Sequence, residues 1–390
     1  VSATPAAAAA GRPPITYLDH AATTPMRPEA IEAMVPYLRD DFANPSGSHR
    51  FAQRARRAVD ESRDRVAAVV GCHPNEVVFT GSGTEADNTA VAGAVRHGGG
   101  VAVCSAVEHP AVLEVVARHG GVVVGVDSAG RVDLGELAAV IDRAVEDDGV
   151  AVVSVMAVNN EVGSINDVPA VAEVVRRHAP DALLHTDAVQ AACWLDLREI
   201  TPCVDLLSLS AHKFGGPKGV GVLVERGGPR VDPLIIGGGQ ERERRSGTHN
   251  TAGIVATAVA LELTDAQRGD DALRLAALRD HLVDMLRTEI DGCTETVPAA
   301  SKVAGSAHVC IEGVESEALL FLLDEAGVCA SAASSCASGA MEPSHVLAAM
   351  GVPRDRARGA LRLTLGHETT ADEVERGAAV VVRSVRRLRR

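Results

Sequence analysis

Lys213 closes the tetrapeptide Ser210-Ala211-His212-Lys213, directly after the apolar run 204–209 and before the glycine-rich stretch 214–221. Lysine is rarely buried. Once desolvated, its amine loses charge and becomes a nucleophile able to form a Schiff base. Alone, a lysine ending a strand reads more readily as a solvated rim residue. Asp187-Ala188-Val189-Gln190, about two dozen residues upstream, follows another strand-like run, 182–185. A lysine to carry an aldehyde and a carboxylate to keep a pyridine nitrogen protonated are what pyridoxal phosphate requires.

Such a pair needs a scaffold that brings successive strand ends to one side. Residues 28–37, 51–70, 84–96, 110–119, 134–145 and 168–178 read as helices. Short Val-rich runs at 76–80, 100–104, 122–126, 150–157, 182–185, 204–208 and 220–225 read as strands between or after them. Alternation of this kind predicts a largely parallel sheet covered on both faces, a three-layer α/β/α domain over residues 16–264. A long helical stretch, 251–290, leads into a smaller α+β domain over 265–390. Its elements are 308–312, 315–326, 328–331 and 360–364. The segment up to about residue 25 is expected to pack with that domain, and residues 1–15 read as a disordered tail. The Ala/Ser/Gly stretch 330–340, which contains Cys336, is expected to be a mobile loop.

In an open α/β sheet, ligands gather beyond the carboxyl ends of the strands. Polar clusters recur at that place. Gly81-Ser82-Gly83-Thr84-Glu85 opens a helix whose N–H groups and Thr84 hydroxyl suit a phosphate, although capping explains Ser or Thr there equally well. Glu108-His109-Pro110 offers a histidine that could stack on a ring or shuttle protons; a surface histidine beside a helix-starting proline is the commoner case. Asn159-Asn160-Glu161-Val162-Gly163, then Asp187 with Gln190, then Ser210, His212 and Lys213 complete the series. Each has a turn or cap reading, but five clusters after five strands make coincidence a poor explanation.

The 390 residues are 46% hydrophobic and 23% charged, with net charge −14, which argues against a direct nucleic-acid surface. Aromatic residues make up only 2%, so a bound ring would find its stacking partner elsewhere. The Arg-rich end, 383–390, completes a helix that starts with acids and suits its dipole. The eight cysteines contain no CxxC pair. They suggest reduced thiols in a cytoplasmic protein, with no metal site and seven of them in the core. No apolar run is long enough to span a bilayer without charges.

These segments resemble a cysteine desulfurase of the NifS/IscS type, within the class V aminotransferase-like, fold-type I pyridoxal-phosphate transferases. The resemblance runs colinearly from Tyr17-Leu18-Asp19-His20-Ala21-Ala22-Thr23-Thr24-Pro25 through Asn44-Pro45-Ser46 and residues 80–88. It continues over 108–109, 158–163, 185–190, 210–219, 237–248 and 336–344. It implies Lys213 as the Schiff-base lysine, Asp187 at the pyridinium nitrogen, Gln190 at the phenolic oxygen and His109 stacked on the ring. Gly83, Thr84, Ser210 and His212 would hold the phosphate, joined by Thr248 from a second subunit, hence a homodimer. Asn160 and Arg362 would bind the substrate carboxylate. Cys336 would take sulfur from L-cysteine as a persulfide, leaving alanine, and pass it to an acceptor protein. An iron–sulfur scaffold, a tRNA-thiolation protein and a DNA-thiolation protein are the acceptor classes. The 329–336 loop and the short tail depart from the common IscS pattern and weakly resemble desulfurases that serve DNA phosphorothioation.

Selenocysteine lyase is an alternative that the same pocket would admit. Transamination needs no loop thiol, and a cofactor-free scaffold would not need Lys213, Asp187, Gln190 and His109 together. A nicotinamide-binding reading fails because Gly81-Ser82-Gly83 lacks the third glycine at the required spacing.

Overall fold

A computed structural model describes residues 14–332 and 344–390. The tail expected over residues 1–15 lies almost wholly outside this range, as do Cys336 and most of the loop around it. The chain divides into two compact units. The larger holds Thr23–Asn160 and Ser164–Asp270; the smaller holds the segment ending at Ala22, the turn Glu161–Gly163 and Asp271–Arg390.

The first strand, β1 (Thr16–Tyr17), belongs to the smaller unit. The larger unit then forms β2 (Val77–Thr80), β3 (Val101–Ser105), β4 (Val122–Val124), β5 (Val150–Ser154), β6 (Leu183–Asp187), β7 (Leu206–Ser210) and β8 (Gly221–Glu225). The smaller resumes with β9 (Cys293–Glu295), β10 (Ser306–Ile311), β11 (Val328–Cys329) and β12 (Ala360–Thr364).

Among the described residues, the larger sheet has the order β2-β8-β7-β6-β5-β3-β4. Strands β7, β6, β5, β3 and β4 are mutually parallel; only β8 runs against its neighbours. Every residue of β6, β7 and β8 is buried, so the middle of the sheet is covered on both faces. Val- and Leu-rich composition without alternation is what such two-sided burial demands. The helices that follow the strands carry their own caps. Ser82 accepts from the Glu85 N–H ahead of Gly83–Gly98, and Asp133 accepts from Gly135 and Glu136 ahead of Leu134–Asp147.

In the smaller unit β10 lies between antiparallel β9 and β12, and β1 pairs in parallel with β11. The helix Ala371–Leu388 has a capping box from Thr370 and Glu373 and ends in Arg386 and Arg387, in keeping with its dipole. The helix Thr251–Glu289 begins in the larger unit and ends in the smaller. No helix among the described residues is long and apolar enough to cross a membrane.

The cysteines depart from expectation. Cys104, Cys293 and Cys310 are buried, whereas Cys72, Cys193, Cys203 and Cys329 are half-exposed. Cys72 lies just beyond the Gly71 helix cap, and Cys193 and Cys203 sit in turns. Apolar sequence neighbours mislead there, because chain ends of elements reach the surface.

Gly221 starts β8 opposite Thr80, where a Cβ would lie 2.3 Å from the Ser82 carbonyl oxygen. That backbone opens the Gly83–Gly98 helix, so it cannot yield cheaply. Gly221→Ala is expected to destabilise the larger unit by about 1–3 kcal/mol, read as a lower urea midpoint at unchanged slope.

Candidate active site

The carboxyl ends of β6 and β7 supply the centre of the site. Asp187 is the last residue of β6, opposite Ser208 of β7, and only 5% of its surface is exposed. Its Oδ1 accepts the Val189 N–H at 2.8 Å. Burial raises the Asp187 carboxyl, and the Val189 N–H and the Lys213 charge pull it back, leaving it at about 6. Lys213 ends the single 3-10 turn Ala211–Lys213 after β7. Phe214, fully buried, and the positive φ of Gly215 fold the chain back, so that Gly216 donates to the Ala211 carbonyl at 2.9 Å.

The N-terminal motif grips this turn from the other side. Thr24 N–H donates to the His212 carbonyl at 3.1 Å, Arg27 N–H to Gly215 at 2.9 Å, and the Thr23 hydroxyl lies 3.0 Å from His212 Nδ1. Burial, with Lys213 and Lys218 nearby, lowers His212 to about 4, so its ring is neutral at physiological pH. On the opposite flank, Gly83 approaches so closely that a Cβ there would stand 3.0 Å from both Ser210 Cβ and Val189 Cγ2. The N-terminus of the Gly83–Gly98 helix is thereby held against the ends of β6 and β7, with Thr84 exposed and Ser210 buried. Gln190 is half-buried.

His109 caps the helix Pro110–Arg118: its Nδ1 accepts the Ala111 N–H at 3.1 Å, which leaves the neutral ring its proton on Nε2. Capping and a role toward a ligand are thus compatible. Asn160 closes the larger unit's part of a hairpin whose base is the Val158–Ile165 bridge. Arg362 belongs to the smaller unit, buried on β12.

Sequence reasoning missed what lies behind Asp187. Asp87, Glu108 and His185 are buried there, with His185 Nδ1 2.8 Å from the Ser154 hydroxyl and its Nε2 3.0 Å from that of Ser208. Asp87 Oδ1 lies 3.7 Å from His185 Nε2. Burial, then the Asp187 charge, pushes the Asp87 carboxyl well above its ordinary range, and burial does the same to Glu108, whose Oε1 accepts the Met156 N–H at 2.7 Å. Burial drives His185 down to about 3, leaving it uncharged. Polar residues inside Val- and Ala-rich elements were the available signal. Cys193, whose thiol donates to the Lys213 carbonyl at 3.4 Å, and Trp194 beside it belong to the same turn region.

Thr248 is exposed at the end of a glycine-rich loop with unusual backbone. Glu241, Arg242 and Glu243 all have positive φ, a left-handed run that costs about 1–2 kcal/mol per residue. A buried clamp holds it. The Glu241 carboxylate accepts from Arg63 at 2.6 and 2.8 Å, lies 2.8 Å from His249 Nε2, and takes the Phe79 N–H at 2.9 Å. Phe79 lies on edge strand β2, so the carboxylate satisfies a donor with no further strand beside it. Arg245 of the same loop pairs with Glu85, 2.8 Å away.

A buried, strand-end Asp187, a lysine held in a tight turn and a helix N-terminus come together here within an α/β fold. The family signature Aminotransferase class-V matches residues 16–376, and the chain belongs to that family. It is 39% identical over 96% of its length to "Cysteine desulfurase IscS" of Methanosarcina thermophila, covering 92% of that protein. It is 41% identical to "Cysteine desulfurase" of Rhodobacter capsulatus, covering 96% of this chain and 98% of that one. A solved structure described as "NIFS-LIKE PROTEIN" superimposes with a TM-score of 0.87 at 33% identity, over 95% of this chain and 99% of the other.

Burial alone would raise the Glu241 carboxyl, but His249 and Arg63 outweigh it and hold it at about 2. A depressed carboxyl stabilises the fold above its unfolded value, here 4.5, and loses that contribution as pH falls through about 2. Glu241→Gln should therefore lower Tm at pH 6, and the gap to the native protein should close between pH 4.5 and 2.

Proposed function

We propose that the chain is a pyridoxal-phosphate-dependent cysteine desulfurase, which converts L-cysteine to L-alanine and captures the sulfur on Cys336. The observation that carries this reading is the buried Asp187 with Lys213 in its field, at the adjoining ends of β6 and β7. The names of the relatives that share nearly the whole chain support the choice of substrate.

The residues present fit the cofactor. Gly83 packs against Ser210 and Val189, where a Cβ would stand 3.0 Å from each, and this brings the helix N-terminus to the Ser210 side chain, a place suited to a phosphate. Ser210, His212, Thr84 and Gly83 would hold the phosphate, and Asp187 the pyridine nitrogen. Gln190 would face the phenolic oxygen and His109 the ring, which suits a chain so poor in aromatics. Thr248, exposed on its clamped loop, would complete the phosphate site of a second copy in a homodimer. When bound, pyridoxal phosphate supplies an electron sink that acidifies the substrate Cα–H and weakens the Cβ–S bond.

The chain's own groups do the rest. Arg362 and Asn160 bind and orient the substrate carboxylate; a guanidinium fork suits that task. The Lys213 amine takes the Cα proton, and His109, with its proton on Nε2, assists proton movement. The Cys336 thiolate attacks the substrate sulfur. A sulfur–sulfur bond forms as the Cβ–S bond breaks, and the electron pair of that bond stays with carbon, which is protonated to give alanine. Cysteine plus a thiol becomes alanine plus a persulfide, so no outside oxidant or reductant is needed. A second acceptor then takes the sulfur, which separates extraction from delivery. An iron–sulfur scaffold or a tRNA- or DNA-thiolation protein suits that role, in the cytoplasm.

Lys213→Ala should abolish the visible band of the lysine-bound cofactor and reduce alanine formation by roughly 10³-fold or more. Cys336→Ser should keep the band and its response to L-cysteine yet lose alanine formation. Full alanine production by Cys336→Ser with a thiol acceptor would remove Cys336 from the mechanism. A band that never responds to cysteine would point to another amino-acid substrate.

A further inference from the structure

The motif Tyr17-Leu18-Asp19-His20 carries an acid to which the proposed reaction gives no part. This segment belongs to the smaller unit and is bonded there on two sides. Thr16 and Leu18 N–H donate to the Gly327 and Cys329 carbonyls at 2.8 and 2.9 Å, and the Leu18 carbonyl takes the Thr364 N–H at 2.7 Å. The Ala21 N–H donates to the Thr364 hydroxyl at 2.9 Å, and Leu18 is fully buried. Asp19 is bridged to Thr364 and so stands beside β12, on which Arg362 lies two positions before Thr364. Residues two apart on a strand share a face.

The two side chains meet. Arg362 Nη2 donates to Asp19 Oδ1 at 2.7 Å, with the arginine 7% and the aspartate 20% exposed. Backbone ties both ends of the pair, since Arg362 N–H donates to the Ser331 carbonyl at 2.7 Å and Ser331 N–H returns a bond to Arg362 at 3.2 Å. Two other cations of this unit bond elsewhere: Lys302 to Glu295 at 2.6 Å, and Arg356 to the Thr294 hydroxyl at 3.0 Å. Stability alone does not call for a pair buried this far, because apolar residues of similar volume serve a core as well or better. What the pair provides is a fixed guanidinium. A long, rotatable side chain is held in one plane before any ligand arrives, which removes an ordering cost from binding.

We propose that Asp19 is the positioning residue of Arg362, setting the plane in which its guanidinium meets the substrate carboxylate. The proposal rests on the reading of Arg362 as the carboxylate site. A guanidinium carries five N–H donors in a rigid fork, so the bond to Asp19 fixes its orientation while the fork can serve a second carboxylate. Strand pairing at β11 and β12 thus carries the start of the chain to a residue 343 positions away, and delivers one carboxylate there.

The test uses the cofactor-loaded protein and two ligands: L-cysteine, and cysteamine, which has the amine and thiol but no carboxylate. Asp19→Ala should raise KM for L-cysteine by about tenfold or more while kcat moves little. The visible band should respond to cysteamine at the same concentrations as in the native protein. Asp19→Asn, which keeps an oxygen to accept from Nη2, should recover most of the loss. An unchanged KM in Asp19→Ala overturns the proposal. So does an equal loss of L-cysteine and cysteamine binding, the mark of general damage to the fold, and so does an Asp19→Asn variant as impaired as Asp19→Ala. If Asp19→Ala does not fold, Asp19→Glu replaces it. That variant keeps the charge pair but moves the carboxylate by one methylene, so Tm should hold while KM rises, and an unchanged KM overturns the idea. Arg362→Gln separates these failures from that of the underlying reading. A raised KM there with a native KM in Asp19→Ala removes Asp19 alone; an unchanged KM there means Arg362 does not bind the carboxylate, and both ideas fall.

Discussion

Three carboxyl side chains, Asp87, Glu108 and Asp187, share the dry region at the end of β6, where each unpaired negative charge costs on the order of several kcal/mol. The surroundings limit how many charges can exist there. Asp87 and Glu108 are driven toward their neutral forms, and His185 is uncharged between two serine hydroxyls. Asp187 alone combines a backbone donor with a facing lysine, so the charge the region can carry falls to it. In the proposed reaction, that charge would meet a pyridinium nitrogen. The tight Lys213 turn, the close packing of Gly83 on Ser210 and the grip of residues 23–27 all keep that single charge facing one way.

A different economy governs the loop that ends in Thr248. Three residues in left-handed backbone would relax if nothing held them, and Glu241 supplies the hold by serving Arg63, His249 and the edge of β2 at once. The side chain at the loop's end is thus displayed outward from a rigid base. Rigidity of that kind is what a residue needs if it is to complete a site without help from its own neighbours.

The strand-end chemistry was legible in the sequence because short apolar runs give way to polar clusters where the strands stop. Ser210-Ala211-His212-Lys213 and Asp187 fall where β7 and β6 stop, and the helix from Val168 to His178 and β12 from Ala360 to Thr364 have the limits their patterns predicted. What stayed hidden depended on tertiary company. Asp87 looks like one polar residue on an amphipathic helix until His185 and Asp187 are placed beside it. Asp19 and Arg362 are 343 positions apart, and no periodicity links them. Residues 161–163 fall within the stretch 16–264 read as the large domain, yet their contacts assign the turn Glu161–Gly163 to the smaller unit. Half-exposed Cys72 and Cys203 show the opposite case, in which an apolar neighbourhood along the chain does not amount to burial in space.

The turn that follows Asp187 has an optical consequence. Trp194 is the sole tryptophan of the chain, and it sits next to Cys193, whose thiol touches the Lys213 carbonyl. With only two tyrosines elsewhere, ultraviolet emission from this protein originates almost entirely from the turn that follows Asp187. A chromophore attached at Lys213 would accept that energy, so quenching of a native fluorophore reports occupancy of the lysine without any label.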